Sequence, residues 1–242
     1  MILPLDNYIR KIRYLKLSLN KLPPYLKNKK INRYSIDLYK YGITSIQPDI
    51  LIKNLKILEN LSDSINKLDL IKIKHEYFSQ YTGEKNYKLS LIDYVENNLV
   101  EQVLKSKFIT LMIEEYFSCK PKLTYSDLWL DIPTNDPEKF TQLYHRDYDH
   151  KFLVKVFIYI NDVDIDTGPF CYVKKSHKNP WLLYKGKNRL NDDEITKLYP
   201  VDDKVILTGK KNTMILADTN GFHKGLKPNK ERILLTGMYT KL

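Results

Sequence analysis

The spacing of apolar positions changes about halfway along the chain. Leu5, Ile9, Ile12, Leu15 and Leu19 recur at three- and four-residue steps, as on one face of a helix. Pro23-Pro24 closes that segment, because proline offers no N–H to continue the ladder. A second helical stretch is predicted from Pro48-Asp49, a proline and an acid suited to a first turn, through Leu51, Leu55, Leu58, Leu61, Ile65 and Leu68. Thr82-Gly83 breaks the pattern, and Ser90 reads as the N-cap of a stretch reaching Leu99 and on to Phe117. Residues 31–47 are open, with an extended run as one reading. Residues 1–120 are thus expected to be mostly helical.

After Pro121 the period becomes two. Strands are predicted near 123–131, 140–146, 152–160, 169–173, 204–207, 212–217, 221–226 and 231–240, with turn signals such as Asn161-Asp162, Thr167-Gly168-Pro169, Gly209 and Pro228-Asn229 between them. Asn191 followed by Asp192, Asp193 and Glu194 marks a short helix over 191–198. Eight short strands in about 120 residues point to a small antiparallel sandwich or jelly roll. Helices preceding strands, without βαβ alternation, argue against a doubly wound sheet. The expected architecture is α+β: a helical region, 1–120, packed on a β region, 121–242, in one compact domain.

Composition narrows this only a little. The 242 residues are 43% hydrophobic and 29% charged, an ordinary globular balance. Lys and Arg outnumber Asp and Glu by 40 to 29, but the excess is spread along the chain: 20 basic against 13 acidic residues before position 121, 20 against 16 after it. Basic stretches with interleaved tyrosines (Tyr8, Tyr14, Tyr25, Tyr34) would suit base stacking. A dispersed charge of +11 reads instead as a solvated surface, or as a basic rim for an acidic small molecule, with nucleic acid the lesser reading. No apolar run approaches the roughly 18 residues of a membrane span. Asp6, Arg10, Lys11 and Arg13 spoil a secretory signal, and two cysteines make no disulfide framework, so a cytoplasmic location is expected.

The candidate chemistry begins at Tyr144-His145-Arg146-Asp147. On an extended chain His145 and Asp147 face the same side and can reach one metal ion. About 0.4 such triplets are expected by chance in a sequence with this many His and Asp, so one decides nothing alone. A further histidine, His223, lies near the start of a late strand, and Arg232 follows nine residues later inside an apolar run. Two His and one carboxylate leave adjacent metal positions open, the facial triad of non-haem Fe(II) oxygenases. An Arg directed into a barrel needs an anion, and a dicarboxylate chelating iron while pairing with Arg232 meets both demands.

The block from Gln142 to Lys178, followed by Ala217-Asp218-Thr219-Asn220-Gly221-Phe222-His223-Lys224-Gly225 and the Arg232 strand, resembles the phytanoyl-CoA dioxygenase-like branch of the Fe(II)/2-oxoglutarate oxygenases. The resemblance covers about residues 121–242. It rests on the HxD…H…R order, on Thr167-Gly168-Pro169-Phe170 where the family has an NGPL-like turn, and on Ser176-His177-Lys178 where it has a GSHK-like ending. It implies a double-stranded β-helix of the cupin type with a helical N-terminal layer. It also implies Fe(II) held by His145, Asp147 and His223, and 2-oxoglutarate held by Arg232. O₂ would be consumed, with succinate and CO₂ as co-products of an aliphatic C–H hydroxylation. Halogenating relatives lack the carboxylate that Asp147 supplies here. Two positions depart from the family: Lys174-Lys175 stand where it has Pro-Gly, and Gly225 where some relatives have Ser.

Several residues keep open readings. Lys155, in an apolar strand, either contacts 2-oxoglutarate or snorkels from the strand edge. His150 and Asp149 read as rim groups, His177 as structural, His75 as surface and Cys171 as a core thiol. Trp129 and Trp181 read as core or cavity wall; Tyr144 and Tyr148 flank the proposed metal with no role assigned. The substrate is expected to be a small molecule, which the basic surface allows to be anionic or carrier-linked. The competing readings are a jelly-roll binding module with a structural metal and, lower, a zinc hydrolase, which gives Arg232 no task.

Overall fold

Strand β4 (Leu153–Tyr159) shows how one sequence pattern serves two layers. Successive side chains alternate between faces. Val154, Val156 and Ile158 enter a core shared with the helices. Phe157 and Tyr159 enter a second apolar cluster between the sheets, and Lys155 and Phe157 line a cavity there.

The computed structural model describes residues 32–80, 87–96, 98–147, 150, 152–179 and 188–241. Strands are numbered in chain order. The larger sheet runs β1 (Ile43–Ile46), β7 (Met214–Ala217), β4, β9 (Arg232–Lys241), β3 (Pro121–Asp131), β2 (Lys88–Ser90). The smaller runs β6 (Lys204–Leu207), β5 (Phe170–Val173), β8 (His223–Gly225). Every paired neighbour is antiparallel. Two facing antiparallel sheets, with helices outside the larger one, make the double-stranded β-helix expected from the resemblance. Both edge strands of the larger sheet, β1 and β2, come from the helical part of the sequence.

The helices are α1 (Asn32–Tyr41), α2 (Pro48–Asn54), α3 (Ile57–Asn66), α4 (Leu70–Gln80), α5 (Leu99–Leu104), α6 (Lys107–Phe117) and, between β5 and β6, α7 (Asp192–Thr196). Leu51, Leu61, Val103 and Met112 from this layer are fully buried in one cluster with Leu128, Val156, Leu216 and Leu235 of the sheet. Each such side chain contributes about 1.5–3 kcal/mol of burial. The rigid backing this gives the larger sheet fixes where its inward-facing residues sit.

Several boundaries differ from expectation. The stretch from Pro48 to Leu68 is two helices, because Leu55 leaves the helical region at φ −144°, ψ 64°. Ser90 ends β2 rather than capping a helix, and its hydroxyl donates to Asp127 Oδ1 at 2.6 Å. The serine cap in this region is Ser106, which opens α6 by accepting from the Ile109 N–H. Residues 140–146 form no strand. A 3₁₀ turn, Phe140–Gln142, leads to single bridges of Tyr144 with Leu190 and His145 with His223, so this short segment shares its backbone bonds between two partners. The open region resolves into α1, a left-handed Gly42 at φ 82°, and β1. The 5–19 periodicity, Pro23-Pro24, Thr82-Gly83, Tyr148, Asp149 and Trp181 lie outside the described residues. Among the described residues, no helix is long and apolar enough to cross a membrane.

Candidate metal centre

His145 and His223 face each other across a two-bond antiparallel bridge: His145 N–H donates to the His223 carbonyl at 2.9 Å, and His223 N–H to that of His145 at 3.0 Å. Their ring centroids are 4.2 Å apart. Asp147, two residues on, is tied by its own N–H to the Thr219 carbonyl at 2.8 Å. The backbone therefore presents all three side chains to one point, and one potential ligand atom from each lies within 4.8 Å of the others.

The two imidazoles are prepared in the same way. His145 Nδ1 lies 2.9 Å from the Leu143 carbonyl and His223 Nδ1 lies 3.0 Å from that of Gly221, each two residues back. A carbonyl only accepts, so each ring carries its proton on Nδ1 and turns an unprotonated Nε2 toward Asp147. Burial holds both imidazoles below their ordinary pKa, His145 well below; neighbouring positive charge adds to this, and Asp147 opposes it. Burial alone would raise the Asp147 carboxyl, but its positive surroundings, with the Lys155 ammonium 2.8 Å away as the charge that persists beside neutral imidazoles, hold it far below the usual carboxylate range. Two neutral imidazoles and one carboxylate fit a divalent metal of borderline softness and leave coordination positions open.

Lys155 stands with Nζ 2.8 Å from Asp147 Oδ2. Arg232 is buried at the start of β9, where Nε and Nη2 both donate to Asp131 Oδ2, at 2.9 and 2.7 Å, and Nη1 donates to the Gly168 carbonyl. Lys88 Nζ lies 3.8 Å from the other Asp131 oxygen. Lys88, Asp131 and Arg232 are register partners on β2, β3 and β9, a cross-strand row on the inward face. Burial pushes the Asp131 carboxyl up, and Arg232 and Lys88 more than reverse this, leaving it below its ordinary value.

These groups open onto a cavity of about 700 Å³, lined by His145, His223, Lys155, Arg232, Lys88 and Arg189 together with aromatic side chains. Tyr87 and Phe140 stack there at 6.4 Å, with Phe140 held at φ 50°, a left-handed conformation that costs of order 1 kcal/mol or more for such a residue. Trp129 lines this cavity, whereas Tyr144 is buried in a separate cluster with Cys171 behind the smaller sheet. His177 is also buried, with Nε2 3.2 Å from the Tyr39 carbonyl of α1; His75 and His150 are exposed.

The sequence reading missed Asp131, Lys88 and Arg189. An acid ending the apolar run Leu128-Trp129-Leu130 in the inward phase was a signal for Asp131, but its partner depends on strand register. It also missed the support beneath His223. Tyr116 of α6 donates to Asp218 Oδ2 at 2.5 Å, and Asp218 Oδ1 accepts from the backbone and side-chain nitrogens of Asn220. That turn carries the Thr219 and Gly221 carbonyls that position Asp147 and His223.

No protein-family model matches the sequence, and no curated protein matches it. Solved structures do. SnoN, a non-haem α-ketoglutarate-dependent epimerase from nogalamycin biosynthesis, superposes with a TM-score of 0.55 at 11% identity, covering 88% of this chain and 83% of its own. AviO1 from Streptomyces viridochromogenes Tue57 gives 0.57 at 13% identity over 87% of this chain and 94% of its own. EctD from S. alaskensis, solved with 2-oxoglutarate and 5-hydroxyectoine, gives 0.54 at 14% identity over 86% and 75%. The chain therefore shares the double-stranded β-helix fold of these structures.

Proposed function

We propose that the protein is an Fe(II)- and 2-oxoglutarate-dependent dioxygenase that hydroxylates an aliphatic C–H of a small, anionic or carrier-linked molecule, releasing succinate and CO₂. The observation that carries this reading is the convergence of His145, Asp147 and His223 beside a cavity whose wall includes both histidines and Arg232. His145, Asp147 and His223 would hold the iron. Arg232, steadied by Asp131, would bind the distal carboxylate of 2-oxoglutarate, with Lys155 as a second contact beside Asp147. When bound, iron and co-substrate supply the O₂-activating redox chemistry. The chain supplies unprotonated Nε2 donors, a fixed guanidinium and an aromatic-walled space beside them. Free Cys119 and Cys171 accord with a reducing compartment, and we place the reaction in the cytoplasm.

Anaerobic visible absorption on titration with Fe(II) and then 2-oxoglutarate tests the proposal. The expected result is a charge-transfer band in the wild type, absent in His223→Ala and requiring far more 2-oxoglutarate in Arg232→Ala. Folded wild-type protein without a band at any concentration would overturn it in favour of a binding module.

A further inference from the structure

Resting on the oxygenase reading above, we infer that Arg189 anchors a carboxylate of the substrate, so that the substrate class is small organic acids with an apolar or aromatic body. Tyr144 and Leu190 exchange two backbone hydrogen bonds, at 2.9 and 2.8 Å, and this antiparallel bridge sets Arg189 opposite His145. Arg189 lines the same cavity as His145 and His223, and its positive charge is felt by both.

Its Nη1 is shut off from solvent and meets no hydrogen-bond partner among the described residues. The other cavity cations each face an acid: Lys155 faces Asp147 at 2.8 Å, and Arg232 and Lys88 face Asp131 at 2.7 and 3.8 Å. A buried guanidinium N–H without an acceptor is costly, and a ligand that supplies one relieves the cost. The two carboxylates of 2-oxoglutarate are already assigned, one to the metal and one to Arg232. That leaves Arg189 for a different anion.

The planar fork of one guanidinium suits a carboxylate, which accepts two parallel bonds. A phosphate monoester, with a charge of about −1.5 to −2, would need more than this single cation. The remaining wall, with Trp129 and the stacked Tyr87–Phe140 pair, suits the carbon body of such an acid.

The test uses full-length protein loaded with Mn(II) and the inert co-substrate analogue N-oxalylglycine, with acetate and benzoate as probes, acetamide and benzamide as uncharged matches, and inorganic phosphate as the competing anion. Binding is read by ligand-observed NMR. Benzoate is expected to bind at least tenfold tighter than benzamide in the wild type. Arg189→Gln is expected to abolish that preference, and Arg189→Lys to retain part of it. On protein loaded with Mn(II) alone, without N-oxalylglycine, 2-oxoglutarate affinity in Arg189→Gln should stay within twofold of wild type. Neither carboxylate outbinding its amide, or a preference that survives Arg189→Gln, overturns the inference. So does phosphate outbinding both carboxylates, or a tenfold loss of 2-oxoglutarate affinity in Arg189→Gln, which would make Arg189 a co-substrate residue. Failure of the wild type to bind 2-oxoglutarate at all overturns the oxygenase reading itself, so the two failures are distinguishable.

Discussion

Arg232 donates two hydrogen bonds to one oxygen of Asp131, and the two residues are direct register partners on neighbouring strands. The pair is buried, and Lys88 approaches the other Asp131 oxygen. The three formal charges leave one net positive charge facing the cavity. Asp131→Ala would leave two cations without their acid and should cost about 3–5 kcal/mol, the range for breaking a buried pair from one side. A dicarboxylate could replace the lost charge. Saturating 2-oxoglutarate is therefore expected to raise the urea midpoint of Asp131→Ala more than that of the wild type, and an equal or smaller rise would count against Arg232 as its site.

The same carboxyl sets an acid limb. Burial opposes its ionisation, but Arg232 and Lys88 prevail, so its folded pKa lies below the unfolded one. Its contribution to stability is complete above the unfolded value near 3.9 and is lost as pH falls through the folded pKa. Melting temperatures measured between pH 6 and 2.5 should fall less steeply for Asp131→Asn than for wild type. Parallel acid limbs would remove Asp131 from the account.

Tyr116 of α6 donates to Asp218, which lies just past the end of β7 in the turn that leads to His223. Tyr116→Phe keeps the ring and deletes one buried hydrogen bond, which should cost about 1–3 kcal/mol. Because that turn also holds Asp147 through the Thr219 carbonyl, metal affinity should fall several-fold as well. Calorimetric Mn(II) titration of the folded variant at low temperature separates the two effects. Lost stability with unchanged metal affinity would confine Tyr116 to the core.

What was legible in the sequence follows from the range of the interactions. β6 lies at its expected residues, 204–207, and strands 123–131, 152–160 and 169–173 lie within two residues of theirs, because short β-branched and aromatic runs bounded by turn residues are a local signal. The convergence of His145, Asp147 and His223 was readable from motif order. β1 lies in the stretch 31–47, for which an extended run was only one reading, and β2 was not foreseen as a strand. They are four and three residues long and become strands by pairing with β7 and β3, far away in sequence. The acid partners of Arg232 and Lys155 were hidden for the same reason: Asp131 meets Arg232 through register, and Asp147 meets Lys155 across the cavity wall.

Lys155 supplies the last prediction, because its two neighbours pull in opposite directions. Its ammonium lies 2.8 Å from Asp147 Oδ2 and stabilises that largely buried carboxylate. It also places a positive charge beside the point where a metal would sit. Lys155→Met keeps the side chain's length and apolar stem but removes the charge. Without metal, Asp147 loses its nearest cation, and a partly exposed pair of this kind should cost about 1–3 kcal/mol on breaking. With metal, the divalent ion takes over the role of counter-charge and no longer meets the ammonium. A unit charge within about 10 Å is worth more than about 1 kcal/mol at an effective dielectric of 20. Lys155→Met is therefore expected to lower the melting temperature of metal-free protein, to bind Mn(II) several-fold tighter, and to recover most of the lost stability when loaded. If Lys155 also contacts the co-substrate, 2-oxoglutarate affinity will fall in the same variant while metal affinity rises. Metal affinity that falls or stays level would show that Lys155 positions Asp147 for the metal rather than competing for its charge.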